Sequence, residues 1–379
     1  MSIIRRSFLG MTAMVYRWGA RPLLFRVSAQ AAHQRMLGTF ARLDNSRLAV
    51  SALRFIHNLA FEKYPVTIGG GVFLFQPMIL AAGLVKGIGF VNETDALAAV
   101  SAGKNIIPGW RSIPALVGLA EFGSFTRYPR LGNPGVVIWR DSATQSTQNR
   151  VGLTNPGVEA AAVFLARHKA HLPEQFGVNI AVNPEVNAAE QQQQEIAESI
   201  AAFLNNGVYP TWFALNLSCP NTAADPLRNQ TADQARQLCR VAVAAIQVHR
   251  PEIPLWVKIS PALGDDQYRT LLSVFQEIGV RAVIATNTLP ALAPDGSGLI
   301  AGIGGGRLYP EALHAVDILM QEKEQRGYNV DIIGCGGVID GSTYQGYLKK
   351  GIKVIQYYSA LLYRGPLAAA IIVTESRGK

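Results

Sequence analysis

The chain of 379 residues contains few cysteines: Cys219, Cys239 and Cys335, which are far apart in the sequence. An odd number at such spacing excludes a disulfide framework and a cysteine-based zinc site, and it favours a reducing compartment. The six histidines are scattered, and none has the neighbours that a metal site requires. The sequence therefore predicts no bound metal.

Acidic side chains are nearly absent from residues 1–64, which contain ten Lys or Arg and only two acids. The net charge of +8 in this segment contrasts with +1 for the rest of the chain. The arginines are interleaved with large apolar side chains such as Trp18, Leu23 and Phe25. This composition is typical of an amphipathic helical segment that lies on an anionic membrane surface.

The N-terminal region also lacks a hydrophobic run long enough to cross a membrane. Its longest uncharged run, residues 7–16, falls short of the ~20 residues that a spanning helix needs. We therefore predict a basic amphipathic helical domain over residues 1–64 that docks peripherally on a membrane. The alternative is a helix packed on the protein with solvated arginines. Nucleic acid binding is disfavoured, because no basic strand rich in aromatic residues is present.

Beyond residue 65, short apolar runs alternate with longer helical patterns, and polar or glycine residues follow each run. Continuous apolar strands between helices indicate a parallel sheet that is covered on both faces. Eight such runs favour a closed (β/α)8 TIM barrel over residues 65–379, with residues 291–306 as a flexible loop within it. The predicted strands are residues 78–82, 116–120, 177–181, 212–217, 255–259, 282–285, 331–333 and 354–357, and the clearest predicted helices are residues 185–204, 233–249, 265–278 and 310–325.

The motif after the strand at residues 212–217 places Asn216 and Asn221 on either side of Cys219. Each asparagine amide offers two donors and one acceptor oxygen, which suits a planar ring that carries both N–H and C=O groups. Pro220 restricts the backbone between them, so that the amides and the thiol can converge and the thiol can act as a base. A turn with a structural cysteine is the alternative interpretation of this segment.

In a TIM barrel, chemistry is located at the carboxyl ends of the strands. Lys86 and Lys258 lie at two of these predicted ends, and a buried ammonium is costly unless it is paired. The two lysines therefore predict a bound anion or an electron-rich cofactor. The last two predicted strands end near Gly336, Gly337 and Ser359, which is the usual position of a phosphate cradle in such barrels.

Further motifs follow one another along the chain. They are residues 81–83 with Lys86, residues 132–134, 149–153, 176–179, 216–222, 257–259, 285–288, 333–337 and 358–360. In this order, the segments resemble those of the dihydroorotate dehydrogenases, flavoenzymes that use FMN to oxidise dihydroorotate to orotate in pyrimidine biosynthesis. The similarity extends over roughly residues 14–370.

The resemblance implies which residues bind the cofactor. A lysine such as Lys258 beside the isoalloxazine would stabilise the negative charge of the reduced flavin, a task that suits a fixed cation. The cofactor residues that it implies are Ala82, Gly83, Leu84, Val85, Lys86, Ser124, Asn179, Asn216, Lys258, Thr286, Gly306, Gly337, Tyr358 and Ser359.

The resemblance also implies a substrate site in which orotate is held between asparagine amides, with a lysine near its carboxylate. Cys219 takes the position of the catalytic base that removes the proton from C5 of dihydroorotate, while a hydride leaves C6 for the flavin. The substrate residues that it implies are Lys86, Asn149, Arg150, Val151, Gly152, Leu153, Asn216, Asn221, Asn287 and Thr288.

Two classes of this family differ in their base and their electron acceptor. The soluble class usually has a cysteine base, and the membrane-associated class usually has a serine base and reduces quinone. Cys219 matches the first class, and the N-terminal domain matches the second. We favour the membrane-associated class, because a whole amphipathic domain is harder to acquire by chance than one Ser-to-Cys exchange. The resemblance then places His33, Arg140 and Tyr358 at the quinone site.

This interpretation predicts a monomeric, peripheral protein of the bacterial inner membrane that faces the cytoplasm, with the mitochondrial inner membrane as the alternative location. Two other functions stay open: a soluble dihydroorotate oxidase that uses fumarate or another acceptor, and a non-catalytic FMN-binding protein. Departures from the family pattern at Val85, Leu153, Ala262 and Gly305 suggest the latter. The retained Cys219, lysines and asparagines argue against it.

Overall fold

The apolar runs of the sequence become the strands of a parallel barrel. In the computed structural model, residues 3–217 and 231–377 are described. The strands in these residues are β1 Val66–Ile68, β2 Val72–Leu74, β3 Met78–Leu80, β4 Glu121–Phe125, β5 Ile138–Asp141, β6 Ser146–Asn149, β7 Gly177–Ala181, β8 Trp212–Asn216, β9 Leu255–Ile259, β10 Ala282–Ala285, β11 Leu289–Leu292, β12 Ile300–Gly305, β13 Asp331–Cys335 and β14 Ile355–Tyr357.

Eight of these strands pair in parallel, in the order β3-β14-β13-β10-β9-β8-β7-β4. The sheet closes where the Leu80 N–H donates to the Leu119 carbonyl at 2.9 Å and Leu80 pairs with Ala120. Strands β7 to β10 are buried throughout, as expected for a sheet covered on both faces. The predicted TIM barrel is confirmed.

Helices connect the strands and cover the outside of the barrel. The helix predicted at residues 265–278 has those bounds, and the other three predicted helices end within about one turn of their predicted bounds. The α-helices in the described residues are α1 Ile3–Val15, α2 Arg21–Phe25, α3 Ala29–Asp44, α4 Arg47–Ala60, α5 Glu93–Ser101, α6 Ser112–Val117, α7 Val158–Arg167, α8 Ala189–Asn205, α9 Ala232–His249, α10 Asp265–Ile278, α11 Tyr309–Arg326, α12 Gly341–Lys349, α13 Ser359–Arg364 and α14 Ala368–Arg377.

The strand predicted at residues 116–120 is wrong. This segment contains the end of α6 and the turn that follows it, and β4 begins one residue later, at Glu121. Every side chain of α6 is buried, so its short apolar run has the same appearance as a core strand. The helix ends at Val117 and is capped by Gly118, whose φ of +84° is a conformation that favours glycine.

The amino end of the barrel is closed by aromatic side chains and by a short hairpin of β1 and β2. The rings of Trp212 and Trp256 stack inside the barrel with centroids 4.5 Å apart. The indole N–H of Trp256 donates to the carbonyl of Gly69 in the hairpin turn at 3.4 Å. Because these rings fill the amino end of the barrel, the space for a ligand lies at its carboxyl end.

A second sheet lies at the carboxyl end of the barrel, with strand order β11-β12-β6-β5. Its hairpin of β11 and β12 spans most of residues 291–306, so the prediction of a flexible loop there is wrong. The hairpin is stabilised because β12 pairs with β6, from Gly302 opposite Asn149 to Gly305 opposite Ser146. The two paired segments are far apart in the chain, and the β12 segment is rich in glycine. The sequence near β12 therefore carries no strand pattern that would reveal this pairing.

The N-terminal helices α1–α4 pack against the barrel. Ser28 and Ser46 cap α3 and α4, because each hydroxyl accepts a backbone N–H from the first turn at 3.2 Å. Helix α4 ends at Ala60 and β1 begins at Val66, so the predicted domain boundary after residue 64 falls between them. Within the described residues, no helix combines the length and apolar character needed to cross a membrane.

Candidate active site

A cavity of about 320 Å³ lies at the carboxyl end of the barrel. Its wall combines the ends of barrel strands with residues of α2, α3, β5, β6 and β12. Most of the residues that the sequence predicts for the site line this wall. They are His33, Ala82, Gly83, Leu84, Lys86, Ser124, Arg140, Asn149, Val151, Leu153, Asn179, Asn216, Lys258, Thr286, Asn287, Thr288, Gly337, Tyr358 and Ser359.

Four predicted site residues, Val85, Arg150, Gly152 and Gly306, do not belong to the wall that the described residues form. Each is adjacent in sequence to a residue that does. The side-chain amide of Asn133 donates to the carbonyl of Arg150 at 2.6 Å, and a Cβ on Gly152 would lie 2.7 Å from that side chain. Arg150 and Gly152 therefore shape the loop that presents Asn149, Val151 and Leu153.

A row of hydrogen-bonded polar side chains crosses the cavity wall. Asn216 donates to the Ser124 hydroxyl at 3.2 Å, and its oxygen accepts from the Asn287 amide at 3.2 Å. Asn216 ends β8 and Asn287 follows β10, so the parallel barrel brings them to the same edge. The predicted base Cys219 and its neighbour Asn221 lie outside the described residues, and their roles stay predictions.

Beneath this row lies a buried polar network centred on Glu121, which is 1% exposed. Its carboxylate accepts from the amides of Asn179 at 2.8 Å and Gln356 at 2.9 Å and from the indole of Trp212 at 2.9 Å. The other end of the Gln356 amide accepts from Lys258 Nζ at 3.1 Å. Sequence reasoning missed Glu121 because it placed this strand five residues too early, and it missed Gln356 inside an apolar strand.

Small side chains and hydroxyls form a pocket on the side of the cavity near β12 and β14. The hydroxyls of Thr147 and Ser359 are hydrogen-bonded at 2.8 Å. A Cβ on Gly304 would lie 3.4 Å and 3.5 Å from these two oxygens, so glycine keeps this space open. Gly337, with φ of +68°, also lines the cavity. Hydroxyl groups beside glycines suit a phosphate, and the phosphate site that the sequence places near Gly337 and Ser359 stays a prediction.

The N-terminal helices, together with β5 and α13, line an apolar extension of the cavity, which the sequence predicted only in part. His33 lies there on α3, and burial, with a smaller contribution from the Lys86 ammonium, lowers the pKa of its imidazole to about 4. His33 is therefore neutral at physiological pH. The other residues of the extension, which were not predicted individually, include Tyr16, Leu24, Ala29, Ala32, Met36, Ile138, Trp139, Leu361 and Leu362.

Arg140, on β5, connects the second sheet to the N-terminal helices. Its guanidinium donates to the carbonyls of Leu24, Phe25 and Val27, and it lies 4.3 Å from the centroid of the Phe25 ring. Burial lowers the pKa of this guanidinium from its ordinary value. Because these three carbonyls belong to the end of α2 and the turn after it, Arg140 holds that connection against the cavity.

Comparison with known proteins agrees with this geometry. A family model described as dihydroorotate dehydrogenase matches residues 109–377. A protein named dihydroorotate dehydrogenase (quinone) from Chloroflexus aurantiacus is 32% identical to this chain over 374 residues, and the match covers 94% of each chain. A protein of the same name from Chromobacterium violaceum is 30% identical over 356 residues, and the match covers 91% of this chain and 93% of the relative. The crystal structure of the Eimeria tenella DHODH in complex with ferulenol shares the fold, with a TM-score of 0.66 and 23% identity over 88% of this chain and 90% of its own. The chain therefore belongs to the dihydroorotate dehydrogenase family.

Proposed function

We propose that this protein oxidises (S)-dihydroorotate to orotate in pyrimidine biosynthesis, with FMN as its cofactor, and that it passes the electrons to a membrane quinone. One observation carries this proposal: a single cavity has amide side chains and lysines in its barrel part and an apolar extension among the N-terminal helices. The polar part suits a charged heterocycle, and the apolar part suits a hydrophobic acceptor. Relatives that bear the name dihydroorotate dehydrogenase (quinone) cover nearly the whole chain, which supports the same function.

The barrel residues that line the cavity fit a flavin, which is the type of cofactor on which this family depends. Asn179 is fully buried and lines the cavity, yet no donor among the described residues reaches its side-chain oxygen. A ring N–H of the cofactor would satisfy this acceptor. The Thr147 and Ser359 hydroxyls, with Gly304 and Gly337, would hold the phosphate of FMN.

When bound, the flavin supplies the hydride acceptor, and the side chains of this protein bind and orient the substrate beside it. Lys86 provides a positive charge for the substrate carboxylate. Asn149, Asn216 and Asn287 offer amides to the ring carbonyls and N–H groups. Unpaired ring groups would cost about 1–3 kcal/mol each, so these contacts favour the correct substrate over analogues that lack them.

Cys219 is proposed as the base that removes the C5 proton. Its position in the chain supports this role, because it follows β8 by three residues and β8 delivers Asn216 to the cavity wall. A base must lie within hydrogen-bond reach of the proton that it takes, on the side of the substrate away from the flavin. Transfer of that proton to the thiolate leaves the substrate ready for hydride loss at the adjacent carbon.

The N-terminal helices are proposed to dock on an anionic membrane surface and to admit the quinone. They leave large apolar side chains more than 60% exposed, including Trp18, Leu23, Leu48 and Phe55. On α4, Leu48 and Phe55 are seven residues apart and share a face, and an arginine precedes each of them. Insertion of apolar side chains beside cations is how peripheral helices bind anionic bilayers.

The function is tested with the purified protein, dihydroorotate and a panel of acceptors. We expect dihydroorotate to bleach the bound flavin, and a quinone to reoxidise it much faster than fumarate does. Faster reoxidation by fumarate would favour the soluble oxidase that the cysteine motif also allows. A purified protein that neither contains nor takes up flavin would refute both forms of the proposal.

Membrane docking needs its own experiment. We expect the protein to sediment with vesicles that contain phosphatidylglycerol, and to do so less in neutral phosphatidylcholine or at high salt. Replacing Leu48 and Phe55 with serine should weaken sedimentation. The matched control is Val248→Ser, because Val248 is 80% exposed but lies on α9 of the barrel. Equal sedimentation of all three proteins would contradict docking through α4.

A further inference from the structure

Three buried side chains connect the interior of the barrel to the cavity wall. Glu121 accepts a hydrogen bond from the amide nitrogen of Gln356 at 2.9 Å, and the amide oxygen of Gln356 accepts one from Lys258 Nζ at 3.1 Å. Gln356 is fully buried and Lys258 is 6% exposed. A carboxylate and an ammonium are therefore joined through one amide, and the charges at its two ends permit only one orientation of that amide.

The same carboxylate orients a second amide. An ionised carboxylate can only accept hydrogen bonds, so Asn179 must also turn its nitrogen toward Glu121, at 2.8 Å. The oxygen of Asn179 is then directed away from Glu121, and among the described residues no donor reaches it. Glu121 thereby determines that Asn179 offers its side-chain oxygen to the cavity. It also determines that the oxygen of Gln356 faces the Lys258 ammonium.

We propose that Glu121 is a positioning residue that sets the reduction potential of the flavin, acting through Gln356 and Lys258. The inference rests on the proposed function, because it requires that a flavin occupies this cavity. Glu121 does not itself belong to the cavity wall formed by the described residues, whereas Gln356 and Lys258 do. Its influence therefore passes through those two side chains and through its own charge.

The sign of the effect follows from electrostatics in a buried site. A cation beside the flavin favours the reduced form, which carries more negative charge, and a nearby anion opposes it. Glu121 opposes reduction by its own charge, and the Gln356 oxygen that it orients toward Lys258 offsets part of the ammonium charge. Both contributions act with little solvent screening, because all three side chains are buried. Glu121 therefore keeps the potential of the flavin lower than Lys258 alone would set it.

The test is the midpoint potential of the purified holoprotein, measured by spectroelectrochemical titration. In Glu121→Gln, the ratio of reduced-flavin to oxidised-flavin affinity should rise at least tenfold, which raises the potential of a two-electron couple by about 30 mV. The matched control is Trp212→Phe, which removes an indole donor from the same carboxylate but leaves the charge in place. Its affinity ratio should change by less than threefold.

A second variant keeps the proposal testable if Glu121→Gln does not fold. Gln356→Met removes the amide oxygen that offsets part of the Lys258 charge, so the potential should also rise. Where Glu121→Gln folds, it should add less in the Gln356→Met background than in the wild type. A flavin-loaded Glu121→Gln or Gln356→Met protein with an unchanged potential would overturn the inference. That result differs from failure of the proposed function, in which dihydroorotate would not reduce the flavin of the wild-type protein.

Discussion

Asp44 attaches the end of α3 to the barrel through several buried hydrogen bonds. It ends α3, is 2% exposed, and accepts hydrogen bonds from the Gly109 N–H at 2.7 Å and from the Ser112 N–H and hydroxyl at 2.8 Å and 2.6 Å. The amide of Asn105 adds a bond at 2.9 Å. One carboxylate therefore satisfies several donors of α6 and of the segment before it.

The Asp44→Ala substitution would leave these donors without an acceptor. Gly109 and Ser112 are buried, and each buried donor left unsatisfied costs about 1–3 kcal/mol. Some donors would regain water as the helix loosens, so we expect a total loss of about 4 kcal/mol, within the range found when one partner of a buried charge is removed. Asp44→Asn retains one acceptor oxygen, and about half of this loss is expected.

Native-state hydrogen exchange can measure this effect locally. A loss of 4 kcal/mol corresponds to about a thousandfold faster exchange for the amides of α3 and α4, while those of β7 to β10 should be unaffected. Quinone reduction should fall as well, because α3 carries His33 in the cavity wall, and bleaching of the flavin by dihydroorotate should persist.

The control for this measurement is Asp266→Ala, because the Asp266 side chain is 99% exposed on α10. It should leave exchange in α3 unchanged. Unaltered protection of α3 in Asp44→Ala would refute the reasoning. Equal loss of protection across the whole barrel would do so too, because it would show that the carboxylate stabilises the entire fold and not the attachment of these helices.

Three further predictions concern the proposed active site. Cys219→Ala should slow flavin reduction by dihydroorotate about 10²–10⁴-fold in stopped-flow measurements, with Cys219→Ser retaining more activity, and an unchanged rate in the alanine variant would exclude a thiol base. Asn216→Ala should weaken orotate binding by about 1–3 kcal/mol in calorimetry while FMN stays bound, and loss of flavin with unchanged orotate affinity would reverse its role. His33 has a folded-state pKa of about 4, below its unfolded value near 6.5, so its contribution to stability is present above pH 6.5 and is lost as the pH falls toward 4. In His33→Gln, the free energy of unfolding should therefore fall less between pH 6.5 and pH 4, by at most about 3 kcal/mol. If it falls as much as in the wild type, the lowered pKa of His33 is contradicted.

The parts of the fold that the sequence predicted are those with a local signature. Strand β9 is a continuous buried run, and α10 begins after Gly264 and ends at Gly279, so its bounds could be read directly from the chain. The pairing of β12 with β6 could not be predicted in this way, because it depends on two segments far apart in the chain. Local pattern also cannot distinguish the buried helix α6 from a strand.

In the candidate site, too, some residues could be predicted from the sequence and others could not. Asn216 and Lys258 were predicted to lie together because a parallel barrel gathers its carboxyl ends at one edge. Glu121 was not predicted, because a single acid in an apolar context gives no sign of the three donors that converge on it. Only the closed barrel brings Asn179, Trp212 and Gln356 to one carboxylate, so such a network is a property of the tertiary structure.

The conflict between a cysteine motif and an N-terminal helical domain bears on which electron acceptor this protein uses. If the helices were only packed on the barrel, they could be absent without changing the cavity. They are part of its wall instead: His33 lies close enough to Lys86 for that ammonium to lower the pKa of the imidazole, and Arg140 holds the end of α2 against the same space. A small soluble dicarboxylate such as fumarate gains nothing from apolar walls, whereas a quinone ring and its hydrophobic tail do. The identity of the base affects only the half-reaction with dihydroorotate, so Cys219 is compatible with a quinone acceptor, and the architecture of the cavity is the stronger argument for it.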